Sequence, residues 1–394
     1  MTKIVHIVHC IDTEGPLNES LKTTFDRLKT IFNIKLKPTT KNLKKLQNQE
    51  ISLGDTSSLV ANTFSKKLLN YNNSWKKIKK MQTKLLSKKF RNKYLDSFGK
   101  GWKYNWFITD HVGFKKNPNK RALGYHKIWN NYKNFYKKNK KNNFNDGFHF
   151  HHHPIPFSKR ADHSSTHFFN HSPKIFEILS RKILDLKWFP SVFRPGFHSI
   201  RPDSHWFLEQ FIPFDISNQR TNILEKNQKD LASGRFGDWR RAPLTWQCYH
   251  PDHDDYQKKG NCRRWTARCL NIGTRVRVLT EKDVELAFKE AKKNKAVILA
   301  FANHDYRDME QDIEDVYFKI KKISKKYPKI KFKFCEAREA LRNSLKLKKR
   351  NLKFKQKLNN NTLYIKSNKK IFGPQPFLSI ITFCFILLPK PTKT

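Results

Sequence analysis

The chain has 394 residues, enough for one large α/β domain with appendages or for two domains. Its 81 Lys and Arg against 33 Asp and Glu give a formal net charge of +48. The lysines are spread along the whole length, mostly beside asparagines, and no nucleic-acid-binding module is recognisable. We therefore expect no specific nucleic-acid partner, and we interpret the charge as compositional drift at the surface or as attraction to a polyanionic carbohydrate or membrane.

The cysteines and the apolar segments indicate the cellular compartment in which the protein is expected. The six cysteines are scattered without a Cys-x-x-Cys pair, which excludes a disulfide framework and a zinc ribbon. The first residues lack a basic segment followed by an apolar run, so we expect a cytoplasmic protein without an export signal. The apolar segment 376–389 is too short to cross a bilayer comfortably, so we expect no firm membrane anchor.

The elements at the start of the chain predict a strand followed by a large insertion. Residues 3–12 have the composition of a buried strand and end in the turn-like sequence DTEGP. Residues 18–100 are rich in Lys, with apolar residues three and four positions apart, and we predict a helical insertion there. The aromatic and β-branched residues 102–110 predict the second strand.

The rest of the chain alternates between strands and helices. A helix is predicted at about 121–139, and further strands are predicted in the segments GFHFHHHP, PSVFRPG, PFDISN, KAVILAFANHD and KIKFKF. Alternating strands and helices indicate a parallel sheet. Because polar residues recur at the carboxyl ends of nearly all these strands, we predict a closed β/α barrel over 1–345, with the insertion at 18–100. Residues 346–394 are predicted to form a short β-rich appendage.

Residues 149–153 contain four histidines in five positions, directly before Pro154. Alternation along a strand sends His149, His151 and His153 to the same face. Three imidazoles on one face form a metal site if a carboxylate lies nearby. At the end of the first strand, Asp12 and Glu14 can supply one carboxylate for a metal and another for a water molecule.

Other candidate residues lie at later strand ends. Arg194 can orient a carboxylate base, and Asp215 can brace Arg194 or contact a substrate. His304 stands where a general acid is needed. Asp110 and His111 are additional candidates without an assigned role. The segment CYHPDHDDY (248–256) has the composition of a metal site, but it follows no predicted strand and we interpret it as a polar loop.

Taken in order, these motifs resemble the polysaccharide deacetylases of the NodB-homology type, in the glycoside hydrolase/deacetylase β/α-barrel superfamily. The resemblance covers about residues 1–15 and 100–340. It lies in IDTEGP, in the pair His149 and His153 before a proline, in the Arg-Pro-Gly turn at Arg194 and in His304. It implies a distorted β/α barrel, a divalent metal, most commonly zinc, and hydrolysis of an N-acetyl or related acyl group on a carbohydrate.

By this resemblance, Glu14, His149 and His153 hold the metal, and Asp12 is the base that takes the proton of the water. Arg194 and Asp215 support the site, and His304 protonates the leaving amine. The family has adjacent aspartates where this chain has Asp12-Thr13-Glu14, so the exchange of roles between Asp12 and Glu14 stays open. His151 could also replace either of the other two imidazoles. The alternatives are a non-catalytic sugar-binding protein of the same fold and a basic nucleic-acid-binding protein.

Overall fold

The computed structural model describes residues 3–139, 145–163, 174–222, 236–293, 296–348, 351–360 and 362–379. Seven parallel strands close into a barrel in which each strand pairs with the next along the chain and the seventh pairs with the first. The barrel strands are β1 (Lys3–Thr13), β2 (Asn105–Thr109), β3 (Gly147–His152), β4 (Val192–Pro195), β5 (Phe214–Asn218), β6 (Trp265–Asn271) and β7 (Val297–His304). The predicted β/α barrel is confirmed.

Six helices follow strands of the sheet, five of them after strands of the barrel and the last after the extra strand that pairs with β1. They are α7 (Lys127–Lys138), α8 (Lys174–Leu186), α9 (Pro202–Phe211), α10 (Glu281–Lys292), α11 (Glu310–Lys326) and α12 (Ala337–Ser344). The start of α10 shows how the sequence sets such a boundary. The Thr280 hydroxyl accepts a hydrogen bond from the Asp283 amide, and the Asp283 carboxylate accepts one from the Thr280 amide.

The closure of the barrel fixes which residues share a level at its carboxyl end. In the pairing of β1 with β7, Asp12 lies opposite His304, and in the pairing of β1 with β2 it lies opposite Phe107. An eighth strand, β8 (Ile330–Phe334), pairs with the first residues of β1 and stands outside the ring of seven. This extra strand extends the sheet at the amino end of the barrel.

The interval between β1 and β2 is helical, as predicted. Its helices are α1 (Leu21–Phe32), α2 (Thr40–Gln47), α3 (Ser57–Thr63), α4 (Lys66–Leu69), α5 (Trp75–Leu85) and α6 (Lys88–Lys93). Five of them begin at a residue whose hydroxyl accepts a backbone hydrogen bond, namely Ser20, Thr39, Ser65, Ser74 and Ser87. The first four helices share a small apolar core of their own around Phe25, Phe32 and Phe64.

The last described segments are a hairpin and a short extended stretch. β9 (Phe354–Asn359) and β10 (Thr362–Ser367) form an antiparallel pair, which confirms the β-rich appendage. Further on, Phe377 packs against Phe207 and Phe211 of α9. Within the described ranges, no helix is both long and apolar enough to cross a membrane. Most of the apolar segment 376–389 lies outside the described residues.

Candidate metal centre

Three buried side chains converge at the carboxyl end of the barrel. The Nε2 atom of His153 lies 3.3 Å from Oε1 of Glu14, and the Nε2 atom of His151 lies 3.8 Å from the same oxygen. The two Nε2 atoms are 2.9 Å apart. All three donor atoms therefore lie within 4.8 Å of one another, and the group could hold a metal ion. We call Glu14, His151 and His153 the rim triad.

The turn after β1 places Glu14 toward the barrel axis. The backbone amides of Glu14 and Gly15 both donate to the carboxylate of Asp305, at 2.9 Å and 3.0 Å, and the Tyr132 hydroxyl donates to it at 2.9 Å. Gly15 has a φ of 72°, a conformation that glycine adopts without the strain of a side chain. Asp305 therefore holds the turn, and burial raises the pKa of its carboxyl group to about 6.

Arg121 orients the Glu14 carboxylate from the other side. Its Nη2 atom lies 2.7 Å from Oε2 of Glu14, which leaves Oε1 directed at the two imidazoles. Burial alone would raise the pKa of Glu14, but Arg121 and His153 hold this pKa well below its usual value. The sequence analysis did not find Arg121, because it lies in the loop between β2 and α7 without a motif or a periodic neighbour.

The structure brings His151, and not His149, to Glu14 and His153. His149 is one strand repeat nearer the amino end of β3, about 7 Å along the strand. There its Nε2 atom lies 3.1 Å from Oδ1 of Asn105 and 3.3 Å from Oε1 of Glu336. The assignment of His149 as a metal ligand is therefore corrected: alternation identified the shared face, but only the last two of its three imidazoles reach the rim.

The hydrogen bonding of His151 suits a metal ligand. Its Nδ1 atom lies 3.1 Å from the backbone oxygen of Arg194, which can only accept a hydrogen bond. The Nδ1 atom must therefore carry the proton. In the neutral ring the lone pair on Nε2 then points toward Glu14 and His153. A backbone carbonyl that fixes the tautomer of a histidine in this way is a common support for metal ligands.

Asp12 lies beside the rim triad and is held by Arg194. The guanidinium donates from Nε to Oδ1 at 2.8 Å and from Nη2 to Oδ2 at 3.1 Å, and its Nη1 atom donates to the Ile216 oxygen. Such a two-point contact fixes both the charge and the plane of the carboxylate. Burial would raise the pKa of Asp12, but Arg194 and His151 hold it well below its usual value. Arg194 thus lies where it can orient a carboxylate.

Asp215 does not brace Arg194 and does not line the cavity beside the rim triad. It forms a buried ion pair with Arg264 and accepts a hydrogen bond from the Thr266 hydroxyl at 3.0 Å. The reason is its position as the second residue of β5, near the amino end of the barrel. The structure therefore corrects both roles considered for Asp215 and places it in a structural ion pair.

His304 faces the two carboxylates from β7. Its Nε2 atom lies 3.7 Å from Oε1 of Glu14 and 3.9 Å from Oδ2 of Asp12. Burial lowers the pKa of His304 to about 4, against the opposing effect of Glu14 and Asp12. About a quarter of the side chain remains exposed, so His304 can be reached from the cavity.

The two additional candidates after β2 differ from each other. Asp110 is structural, because it pairs with the buried Lys182 at 2.6 Å and accepts a hydrogen bond from the His126 amide. His111 lies beside the rim triad, with its ring centre 5.4 Å from that of His153. Neither ring nitrogen of His111 has a hydrogen-bond partner within the part of the chain that the structure describes.

A cavity of about 170 Å³ opens over the rim triad. The helical insertion forms one wall of it through Thr63, Leu68 and Tyr71, and the barrel loops contribute aromatic rings such as Phe197 and Tyr306. The side chains that could bind a metal thus lie at the base of a cavity whose shape depends on the insertion.

Comparison of the chain with protein-family models, with curated proteins and with solved structures finds no match in any of the three. The barrel and its rim triad are therefore the features of the molecule that indicate a function.

Proposed function

We propose that the protein is a metal-dependent hydrolase that removes an N-acetyl or related acyl group from a carbohydrate. The observation that carries this proposal is the rim triad, with His304 and the Arg194-bound Asp12 next to it. Two imidazoles and one carboxylate are the ligands of many catalytic zinc sites, which keep a further position open for water or substrate. Zinc is therefore the cation that we propose.

Glu14, His151 and His153 would hold the cation. It would supply Lewis acidity, polarising the acyl carbonyl and lowering the pKa of water. The buried surroundings favour this chemistry, because charges interact more strongly where water is excluded.

The remaining groups would move protons. Oδ2 of Asp12 faces His304 and would accept a proton from the attacking water, while Arg194 keeps the carboxylate ionised and oriented. His304, which burial keeps neutral, would take up this proton from Asp12 at Nε2 and pass it to the leaving amine nitrogen. The two groups lie opposite each other on the paired strands β1 and β7, and the 3.9 Å between Oδ2 and Nε2 would let both act on one reacting centre.

The cavity supports a carbohydrate as the substrate class. Its walls combine aromatic rings with a few charged groups, which is the usual composition of a site that binds a small polar ligand. The rings include Tyr71, Phe197, Phe236 and Tyr306, and the charged groups include Arg307. The guanidinium of Arg307 stacks on Tyr71 and Tyr306 and so has a fixed position in the wall.

The direct test is acetate release from N-acetylated oligosaccharides by the zinc-loaded protein. We expect release that a chelator abolishes and that Asp12→Asn lowers steeply while the metal content is kept. A sugar-binding protein without turnover would release no acetate. Its wild-type and Asp12→Asn forms would bind the oligosaccharide with equal affinity. A nucleic-acid-binding protein would be indifferent to the chelator, and its affinity for nucleic acid would fall steeply with salt. Either result would overturn the proposal.

A further inference from the structure

A second group of metal-ligating side chains lies away from the rim triad. Glu209 of α9 and His253 and Cys262 of the loop before β6 bring a carboxylate oxygen, an imidazole nitrogen and a sulfur within 4.8 Å of one another. Oε2 of Glu209 lies 2.6 Å from Nδ1 of His253. Glu209 and Cys262 are buried, whereas about three fifths of the His253 side chain is exposed.

This group lies at the amino end of the barrel. Glu209 stands near the end of α9, shortly before β5 begins, and Cys262 stands three residues before β6 begins. In a barrel of parallel strands all strand starts lie at one end and all strand ends at the other, so the group and the rim triad are at opposite ends. The active sites of β/α-barrel enzymes lie at the carboxyl end, so a group at the amino end is suited to a structural role.

The loop that carries His253 and Cys262 is fixed before any ion binds. Tyr249 and Thr266 exchange two backbone hydrogen bonds, the Gly260 amide donates to the His250 oxygen, and the Cys262 amide donates to the Pro251 oxygen. Gly260 is needed here because an added Cβ would lie 2.3 Å from the Cα of Asp252. Backbone contacts of this kind bring the cysteine and the histidine to one point.

His205 supports the loop from α9, one helical turn before Glu209. Its Nε2 atom lies 2.9 Å from the backbone oxygens of both Asp252 and His253, and its Nδ1 atom accepts from Arg264. Because carbonyl oxygens only accept, the Nε2 proton of His205 is committed to the loop. His205 therefore positions the group, and Glu209, His253 and Cys262 remain the three side chains that could hold a metal ion.

We propose that Glu209, His253 and Cys262 form a structural site for a thiolate-binding divalent transition metal of the zinc class. The mixed set of sulfur, nitrogen and oxygen donors suits such a cation better than magnesium or calcium, which prefer oxygen alone. On binding, the metal–sulfur bond replaces the S–H bond of Cys262, and the proton leaves to solvent. The cation then links α9 to the loop before β6.

Cobalt(II) is the probe that separates this site from the rim triad, since only thiolate ligation gives a sulfur-to-cobalt charge-transfer band in the near ultraviolet. We expect the full chain to show this band on titration with cobalt(II), and Cys262→Ser to abolish it. Cys248→Ser is the matched control, because Cys248 is a free cysteine in the same segment before β6 but lies outside the group. It should retain the band.

His253→Ala provides a second test in case Cys262→Ser does not fold. The His253 side chain is exposed, so its removal leaves the core untouched. We expect it to weaken the cobalt affinity of the sulfur site by more than about 10-fold while the far-ultraviolet circular dichroism stays unchanged. The absence of a charge-transfer band from the wild-type chain would overturn the proposal, and so would a band that persists in Cys262→Ser or is unaffected by His253→Ala.

Discussion

His149 and His151 lie two residues apart on β3 and face the same side of it, yet their surroundings differ. His149 is enclosed by Asn105 and Glu336, which leave its ring a hydrogen-bonded part of the barrel interior. His151 uses Nδ1 for a backbone oxygen and presents Nε2 to Glu14 and His153. The comparison shows that a shared strand face does not make a shared site: the level along the strand decides which groups an imidazole meets.

The largest effect is expected at the rim. His304→Ala should lower the rate of acyl hydrolysis by ~10²–10⁴-fold, the usual contribution of a positioned proton donor. Its metal content should be unchanged, because His304 is not among the rim triad. Steady-state kinetics together with metal analysis provide the measurement. Wild-type turnover in His304→Ala would contradict the role given to this residue.

Arg194→Met tests the ion pair beside the rim. It leaves the buried Asp12 carboxylate without its partner, and breaking one side of a buried pair costs about 3–5 kcal/mol. Chemical denaturation would report the loss in the free energy of unfolding. As a control, Arg240→Met removes an exposed pair with Asp238 and should change this free energy by less than about 1 kcal/mol. Equal losses in the two variants would refute the account.

The interior environment of His149 predicts an acid-sensitive contribution to stability. Burial lowers the pKa of His149 to about 4 in the folded protein, against an ordinary value near 6.5. The unfolded chain therefore binds the proton more readily, and the stabilising contribution is complete above about pH 6.5 and is lost as the pH falls toward 4. At full effect it amounts to about 3 kcal/mol.

Unfolding free energies of wild type and His149→Gln, measured at several pH values between 4 and 7, would detect this contribution. We expect the wild-type curve to fall more steeply toward low pH than that of the variant, whose amide does not titrate. Parallel curves would show that His149 is not held neutral by its surroundings.

The smallest effect is expected on the cavity wall. Tyr71 comes from the helical insertion and presents its ring to the cavity. Tyr71→Ala should raise KM for the oligosaccharide by about 10-fold with little change in kcat, because under the proposed function the ring would contact substrate away from the reacting atoms. A fall in kcat alone, with KM unchanged, would place Tyr71 in the chemistry instead of in substrate binding.

Much of the fold could be predicted because its signals are local. A short stretch of sequence is enough to predict each of three strands: the buried strand at residues 3–12, the histidine-rich β3 and the apolar β7. Serine or threonine likewise marks most helix starts in the insertion. β6 and α10 were not predicted. Arg268 interrupts the apolar pattern of β6. Its burial depends on partners outside the strand, namely Asp283 of α10 and the backbone oxygens of Arg220 and Leu244, which the local sequence does not reveal.

The site could be predicted in kind but not in detail. Clustered imidazoles and an acidic strand end indicated a metal site, and Glu14 and His153 lie in the group that could hold one. The choice between His149 and His151 depends on where the strands end relative to one another. Arg121 reaches Glu14 from a loop, and Asp215 pairs with Arg264 at the opposite end of the barrel. Such contacts between distant parts of the chain have no local signature.

The most direct test of the rim triad is the metal content of two paired variants, His151→Ala and His149→Ala, after loading with zinc and removal of excess ion. Both would be made in the Cys262→Ser background, so that only the ion at the rim is counted. We predict that His149→Ala retains one zinc per chain and that His151→Ala loses it. Loss from His149→Ala with retention in His151→Ala would contradict the account, and so would full retention in both variants.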